Sequence, residues 1–314
     1  MRRRDFIKVV AGSTAAWSFT AHAQPSGMRR IGVLTSLAET DPLTIRHVQE
    51  LRDGLEKLGW TAGRNIQPTY RYTAGDPSLE VTVQLILALE KSGADVIELG
   101  VPFSDPIADG PIIQRATDRA LHNGVTLRKV LQLGRNVREQ SEIPLVLFSY
   151  FNPLLNYGLE GLARETREVG FDGVLATDLT VEESDAFVRI MRNDGLNTIF
   201  LVAPTSSPER IRKIAETSNG FLYAVSRTGV TGEQQDLAGD LKQFLQKLRS
   251  HTTSPIAVGF GISRPEHVQA VWQEADAAVV GSSIVKEIEN NIGAADVVET
   301  VAAFAHWLKG CQSK

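Results

Sequence analysis

The sequence predicts a (β/α)₈ TIM barrel, preceded by an N-terminal leader and a short βαβ-like segment. Seven short apolar runs of strand length recur between residues 96 and 281, and stretches with a helical spacing of apolar residues separate them. Strands that alternate with helices indicate a parallel sheet, and strands that are apolar almost throughout indicate that both faces of the sheet are covered. The alternative is an open doubly wound sheet, which usually stops at about five or six strands. Seven runs therefore favour the barrel.

The composition is that of an ordinary globular protein, which excludes a disordered, collagen-like or coiled-coil chain. The 314 residues are 42% hydrophobic and 22% charged, and the net charge of -4 gives no basic excess for binding nucleic acid. The single cysteine, Cys311, excludes an internal disulfide, a CxxC redox pair and a thiolate zinc site. The six histidines are scattered, so we expect no catalytic metal, although carboxylates alone could still hold Mg²⁺.

Residues 1–23 have the pattern of a twin-arginine signal peptide. Arg3 and Arg4 precede a mildly apolar run over residues 9–19, and residues 21–23 (Ala-His-Ala) supply a small-x-small cleavage pattern. The apolar run is too short and too polar to span a bilayer, and we expect no membrane span elsewhere. A frayed amphipathic N-terminus is the alternative interpretation.

Residues 24–72 form a second stretch with a βαβ pattern. A short strand at 30–35 and an extended run at 66–72 flank a helix that opens near Asp41. Together with the leader, this stretch resembles the start of the periplasmic substrate-binding proteins of ABC transporters. A complete lobe of such a protein needs further βα units, which this stretch lacks. The apolar positions of the helix recur at helical spacing at Val48, Leu51, Leu55 and Leu58.

The regular alternation occupies residues 73–314. The extended run at 66–72 is the only one placed to serve as the first strand of the barrel, and Pro68 within it lacks the N–H that a central strand donates. The other strands are predicted at 96–101, 144–150, 173–179, 198–203, 221–226, 256–261 and 277–281. Helices are predicted between them, for example at 79–91, 127–140, 181–194, 208–217 and 264–274.

Two carboxylates near the end of one strand are the candidate acid and base. The active site of a barrel lies at the C-terminal ends of its strands. Glu98 lies inside an apolar strand, where lost hydration should raise its pKa toward a value useful for proton transfer. Asp109 lies on the following loop, which is rich in Gly and Pro. The alternatives are a buried structural carboxylate for Glu98 and a turn or helix N-cap for Asp109.

The loops after the last two strands are candidates for binding an anion. Gly261 follows one strand, and Gly281 and Ser282 follow the next, where glycines let backbone N–H groups approach a phosphate closely. Each run alone is also compatible with a tight βα turn. The polar loop at 226–232 could close as a lid. Tyr223 offers a ring for a flat apolar ligand, although an aromatic residue in a barrel strand is more often part of the core packing.

From residue 73 onward the chain closely resembles the α subunit of tryptophan synthase. The resemblance covers about three quarters of the chain, in the motifs at 73–77, 98–111, 175–178, 226–232 and 259–263. It implies cleavage of indole-3-glycerol phosphate to indole and glyceraldehyde 3-phosphate, a carbon–carbon lyase reaction of tryptophan biosynthesis. It also implies that this subunit needs no metal or organic cofactor. The implied partner is a pyridoxal-phosphate β subunit in an α₂β₂ heterotetramer, which Asp76 and the loop around Asp105 would face.

The resemblance also implies a role for individual residues. Glu98 would be the general acid and base, and Asp109 would stabilise positive charge at the indole N–H. Thr231 would contact Asp109 when the lid closes. The residues expected to enclose the indole are Phe148, Tyr223 and Phe260, and those expected to hold the phosphate are Gly232, Gly261, Gly281 and Ser282.

The two halves of the sequence imply different compartments. Tryptophan biosynthesis belongs to the cytoplasm, whereas a twin-arginine leader directs export. The change of pattern near residue 73 indicates a fusion of two unrelated genes, in the genome or in its assembly. A designed bifunctional protein is the alternative, but the first module is too small to bind a solute. An exported solute-binding protein and an inactive fusion product are the alternatives to an active lyase.

Overall fold

The strands of the computed structural model form two parallel sheets. The structure describes residues 29–35, 66–72, 79–225, 237–259 and 261–310, together with the single positions 46, 49 and 53. The chain divides between Thr73 and Ala74 into two units, and each sheet belongs to one of them.

The N-terminal unit contains a two-stranded parallel sheet. Strand β1 (Arg29–Thr35) pairs with β2 (Ile66–Tyr72) along its whole length. Parallel neighbours need a crossover connection, and the helical positions described between these strands agree with the βαβ pattern expected here. Among the described strands the hydrogen-bonded neighbour of β2 is β1. The expectation that this run provides the first strand of the barrel stays a prediction, because pairing with β1 occupies only one edge of β2.

The C-terminal unit is a seven-stranded parallel sheet in which the described strands follow one another in chain order. This is the sequential order of a (β/α) barrel, and helices separate the strands as predicted. The strands are β3 (Ile97–Gly100), β4 (Leu145–Ser149), β5 (Gly173–Ala176), β6 (Asn197–Val202), β7 (Leu222–Val225), β8 (Ile256–Gly259) and β9 (Ala277–Val279). The helices are α1 (Leu79–Lys91), α2 (Pro111–His122), α3 (Leu127–Arg138), α4 (Phe151–Tyr157), α5 (Leu159–Glu168), α6 (Asp185–Asn193), α7 (Pro208–Thr217), α8 (Leu237–Arg249), α9 (Pro265–Trp272), α10 (Ser282–Asn290) and α11 (Val297–Leu308).

Both faces of this sheet are apolar, which explains the near-continuous apolar strands. In β4, Leu145 and Leu147 belong to the large core beneath the helices, whereas Val146 belongs to a smaller cluster on the opposite face. Successive side chains of a strand point to opposite faces, so this second cluster fills the inside of the curled sheet. Its buried members are Val146, Leu175, Ile199 and Tyr223, and the side chains packed against them include Phe148, Leu201, Val225 and Val279.

Local hydrogen bonds set where the helices begin. The Thr126 hydroxyl accepts a bond from the Lys129 N–H at the start of α3, as an N-cap residue should. Asp178, which follows β5, accepts a 2.6 Å bond from the Phe151 N–H at the start of α4. A side chain from one βα loop thus stabilises the helix of the preceding unit.

The predicted helices agree with the structure, with differences at some ends. Those predicted over 79–91 and 208–217 are confirmed at both ends. The helix predicted over 181–194 starts only with α6, because Ser184 donates a 3.0 Å hydrogen bond to the Val181 carbonyl in a preceding turn. No helix in the described part of the chain is long and apolar enough to cross a membrane.

Candidate active site

Glu98 lies on the inner face of the curled sheet. It is the second residue of β3 and stands opposite Val146 of β4, a member of the inner cluster. Register partners in neighbouring strands point to the same face, so the Glu98 side chain points inward too. No described residue donates a hydrogen bond to its carboxyl group. Burial without compensation raises the pKa of Glu98 to about 7, so that both protonation states are accessible near neutrality.

Tyr223 lies near Glu98 on the inside of the sheet. The two residues belong to the first and fifth strands of the sheet, yet the Glu98 carboxylate lies close enough to raise the pKa of the Tyr223 phenol, a smaller effect than that of burial. Side chains of such distant strands approach only because the sheet curls. The backbone of β8 also approaches the Tyr223 ring, since a Cβ at Gly259 would lie 2.9 Å from Tyr223 Cε1 and 3.1 Å from its hydroxyl oxygen.

Asp109 is held on the loop between β3 and α2. Its N–H donates a 3.0 Å hydrogen bond to the Pro106 carbonyl, and Gln114 Nε2 donates a 2.8 Å bond to the Asp109 carbonyl. The loop is therefore tied into the first turn of α2, and the Asp109 side chain is partly buried. Burial raises the pKa of the Asp109 carboxyl, and a hydrogen bond from Tyr150 opposes that rise.

Tyr150 is the residue that the sequence analysis missed. Its hydroxyl donates a 3.1 Å hydrogen bond to Asp109 Oδ2 and accepts a 2.9 Å bond from the Ala108 N–H. The side chain is only 3% exposed, and its ring packs on Phe103 at 5.2 Å between centroids. Burial and the neighbouring Asp109 carboxylate raise the pKa of Tyr150 to about 12, so it acts as a donor at all ordinary pH values. The available signal was its place directly after β4, where site residues of a barrel are expected.

Phe148 is one of the aromatic residues expected to form a wall around the indole. It lies on β4 opposite Gly100 of β3 and Leu175 of β5, and it packs against the inner cluster. Its partial burial leaves part of the ring accessible. Phe148, Glu98 and Tyr223 therefore share the inside of the curled sheet.

The glycines predicted to bind an anion lie around the start of α10. Gly261 has φ +63°, a conformation that favours glycine, and Gly281 is the N-cap residue of α10 with open space where a Cβ would lie. Ser282 is the first residue of the helix and is exposed. The first backbone bond of the helix runs from the Val285 N–H to the Gly281 carbonyl, so the preceding amides have no acceptor within the helix.

A hydrogen bond joins the two glycine-bearing loops. Ser283 Oγ donates a 2.6 Å bond to the Ile262 carbonyl, and Ile262 itself is buried. The loop after β8 and the N-terminus of α10 therefore form one structural unit. Free amides at the positive end of a helix are suited to a phosphate or carboxylate.

Three predicted site residues lie outside the described residues: Thr231, Gly232 and Phe260. Their predicted roles in the lid, the phosphate site and the aromatic wall stay predictions. Within the described ranges, no group of three or more His, Cys, Asp or Glu side chains is arranged to hold a metal ion.

Comparison with known proteins identifies the family. The model of the family "Tryptophan synthase alpha chain" matches residues 68–311, and the match begins within β2. The tryptophan synthase alpha chain of Solibacter usitatus is 51% identical over 237 residues, which cover 76% of this chain and 89% of the relative. That of Geotalea uraniireducens is 52% identical over 217 residues, or 69% of this chain and 81% of the relative.

Solved structures agree with the sequence comparison. The tryptophan synthase alpha subunit of Legionella pneumophila superposes with a TM-score of 0.69 at 38% identity, covering 75% of this chain and 88% of that one. A chain of the tryptophan synthase α₂β₂ complex of Pyrococcus furiosus gives a TM-score of 0.71 at 37% identity, covering 76% and 95%. The predicted TIM barrel is thereby confirmed, and the chain belongs to the tryptophan synthase alpha chain family.

Proposed function

We propose that the chain cleaves indole-3-glycerol phosphate to indole and glyceraldehyde 3-phosphate in tryptophan biosynthesis. The observation that carries this proposal is Glu98, an inward-facing carboxyl whose pKa is raised by burial to about 7 and which lies beside an aromatic wall. Such a group can give and take a proton near neutral pH. The family membership of the chain supports the same reaction.

In the proposed mechanism Glu98 moves one proton. The protonated carboxyl first protonates indole C3, which places positive charge on the indole ring. The Glu98 carboxylate then takes the proton of the glycerol hydroxyl next to the ring, while the bond from indole C3 to the glycerol carbon breaks. The hydroxyl becomes the aldehyde of glyceraldehyde 3-phosphate, indole leaves, and Glu98 is protonated again. The reaction needs no redox step, and we propose that this subunit uses no organic cofactor or metal.

Asp109 has the complementary task of stabilising charge at the indole N–H. For this it must be ionised, and the hydrogen bond from Tyr150 favours the ionised form. Tyr150 also accepts from the Ala108 N–H, so it holds the side chain and the backbone of this loop together. Asp109 is thus oriented before substrate binds, as electrostatic stabilisation of a transition state requires.

The remaining predicted residues would hold the two ends of the substrate. Phe148 and Tyr223 line the inner face, and we place Phe260 with them around the indole. The free amides at the start of α10, with Gly281, Ser282 and Gly261, would bind the phosphate together with Gly232. Thr231 would close over Asp109 as part of the lid at 226–232.

We also propose a β-subunit partner carrying pyridoxal phosphate, in an α₂β₂ heterotetramer. The Pyrococcus furiosus relative was solved as such a complex. In this chain, Ile107 is 87% exposed two residues before Asp109, and Asp105, two residues before Ile107, is exposed as well. An apolar side chain held out on a short, hydrogen-bonded loop is suited to a protein interface.

The test is indole release from indole-3-glycerol phosphate by the full chain, with and without an added β subunit. We expect activity that the β subunit raises and that Glu98→Gln abolishes, because glutamine cannot transfer the proton. Glu183→Gln is the matched control, since Glu183 is an exposed carboxylate between β5 and α6. A Glu98→Gln variant as active as the parent would refute the proposal, and a folded but inactive parent would favour the inactive fusion product.

For the N-terminal region we propose a twin-arginine signal peptide at 1–23 and a fragment of an ABC-transporter binding protein at 24–72, joined to the barrel by gene fusion. The family match starts only at residue 68, and β1 and β2 pair in a sheet of their own among the described strands. The proposed reaction places the enzyme in the cytoplasm, whereas this leader directs export. Fractionation of cells producing the full chain, beside a variant with Arg3 and Arg4 replaced by lysine, tests the leader. Retention of both proteins in the cytoplasm at full length would refute it.

A further inference from the structure

An ion-pair cluster joins the helix that follows Asp109 to the helix that begins at the proposed phosphate site. Glu289 of α10 accepts from Arg115 through both oxygens, at 2.9 Å from Nε and 2.7 Å from Nη2. The same Glu289 Oε1 accepts a 2.6 Å bond from Arg119 Nη1. These three side chains are called the α2–α10 clamp below. Two-pronged contacts between arginine and carboxylate fix orientation as well as distance.

The clamp lies where the described strands provide no direct link. Helix α2 follows β3 and α10 follows β9, and these are the first and last described strands of the seven-stranded sheet. No strand pair in the described part of the chain connects β3 with β9. The clamp therefore connects the two ends of the described sheet through the helices that follow them.

Each helix of the clamp carries one end of the proposed substrate site. Along α2, Arg115 is only about 8 Å from Gly110, the residue after Asp109, at 1.5 Å per residue. Along α10, Glu289 is about 10 Å from Ser282 at the same rise. Since both helices are short and regular, the clamp relates the position of the Asp109 loop to that of the anion-binding amides.

The partners of the clamp are well placed to hold it together over a wide range of conditions. The side chains of Glu289 and Arg119 are 20% and 23% exposed, whereas Arg115 is 53% exposed. The hydrogen bonds from the two arginines lower the pKa of Glu289 to about 2, so it stays ionised at any pH used for assay. On its apolar side α10 packs through Ile284 and Ile288. The clamp therefore holds α10 from its polar side.

We propose that Arg115, Arg119 and Glu289 are positioning residues that set the distance between the Asp109 loop and the phosphate-binding end of α10. This inference rests on the proposed function. It predicts that the clamp favours ligands that span both ends of the site over ligands that occupy one end. A correctly spaced pair of subsites binds a linked ligand far better than its separate parts, and that advantage is lost when the spacing becomes variable.

The test compares three probes on the full chain: an unreactive indolyl-alkyl phosphate, indole alone and inorganic phosphate. For Glu289→Gln we expect the Kd of the indolyl-alkyl phosphate to rise by roughly three- to ten-fold, within the range by which a single mutation changes the coupling between two sites. The Kd values of indole and of inorganic phosphate should stay within about two-fold, since each uses one end only. Correspondingly, kcat/KM for indole-3-glycerol phosphate should fall, because a displaced Asp109 no longer stabilises the charge that develops in the transition state.

Two further variants separate positioning from a general loss of structure. Glu287→Gln makes the same chemical change on α10, where Glu287 accepts a hydrogen bond from Asn291 of its own helix end, and it should leave all three Kd values unchanged. Arg115→Gln leaves Arg119 on Glu289 and should weaken the spanning probe less than Glu289→Gln does. The double variant Arg115→Gln/Glu289→Gln should bind the spanning probe no more weakly than Glu289→Gln does, because both changes remove the same contact.

The outcomes are distinct. If Glu289→Gln weakens the binding of all three probes equally, or leaves the Kd of the spanning probe unchanged, the positioning role of the clamp is overturned. The proposed function is then still intact. If the parent itself does not bind the indolyl-alkyl phosphate, the proposed function and the clamp both fail. Selective loss of the spanning probe supports both.

Discussion

Replacement of Glu98 by glutamine is expected to stabilise the folded protein, by an amount that grows with pH. The carboxyl lies on the inner face of the curled sheet without a hydrogen-bond donor among the described residues, and burial raises its pKa from 4.5 to about 7. A carboxyl with a raised folded-state pKa prefers its proton in the folded protein. Stability is therefore highest below the unfolded pKa and falls as pH rises through the folded pKa.

The size of the effect follows from the pKa shift. A shift of about 2.5 units corresponds to about 3 kcal/mol at pH values above both pKa values, at about 1.4 kcal/mol per unit. Between about pH 5.5 and pH 8.5 the parent should lose about 2 kcal/mol of stability through this residue alone. Glutamine has no charge to bury, so the variant escapes this loss. Any pH-independent difference between the two side chains cancels when two pH values are compared.

Urea unfolding of parent and variant at these two pH values measures the effect. We expect the stability difference in favour of Glu98→Gln to be larger at the higher pH by about 2 kcal/mol, with unchanged dependence on urea concentration. Glu183→Gln makes the same chemical change at an exposed position and is the matched control. A difference that stays constant from pH 5.5 to 8.5 would show that Glu98 titrates normally. The proposed acid–base role would then lose its physical basis.

Three further outcomes follow from the same site. The pH profile of kcat/KM should be bell-shaped, falling above about pH 7 as Glu98 loses its proton and falling at low pH as Asp109 gains one; a flat profile would contradict the roles of both. Tyr150→Phe removes the hydrogen bond that opposes the raised pKa of Asp109, so the acid limb should move to higher pH and kcat/KM should fall by about ten-fold, as for a hydrogen bond to a charged group. Gly259→Ala would place a Cβ 2.9 Å from Tyr223 Cε1, and we expect about 1–3 kcal/mol of destabilisation in urea together with lower activity. If Gly259→Ala keeps the stability and the activity of the parent, the Tyr223 ring moves freely and the reasoning is wrong.

Much of the architecture could be predicted from local pattern. Apolar runs marked the seven described strands of the sheet, and helical spacing marked α1 and α7 at both ends. Such signals are local, because burial on one face imposes a period of 2 on strands and 3.6 on helices. The first strand of the barrel was harder, since the extended run at 66–72 is compatible with two different neighbours. Its pairing with β1 follows the predicted βαβ pattern, but a strand has two edges, and no local pattern encodes which strand lies at the other one.

Some features of the candidate site could likewise be predicted from the sequence, and others could not. The positions of Glu98 and Asp109 were predictable, because a carboxylate within an apolar strand and a Gly- and Pro-rich loop are visible in the sequence. The role of Tyr150 was not, because its hydrogen bond to Asp109 joins residues 41 positions apart on different strand–loop units. The effect of the Glu98 charge on Tyr223 was not predictable either, because it acts between the first and fifth strands of the sheet.

By itself, the sequence determined which elements form and which residue types stand at the ends of the strands. Periodicity, glycines and isolated carboxylates are properties of short segments, and they hold wherever the segment lies. The tertiary structure alone decided how far burial raises the pKa of Glu98, the orientation of Asp109 and the clamp between Arg115 and Glu289, which are 174 positions apart. These depend on how the parallel sheet curls and which helices meet around it. Burial and hydrogen bonding act over a few ångströms in space, and distance along the chain does not set them.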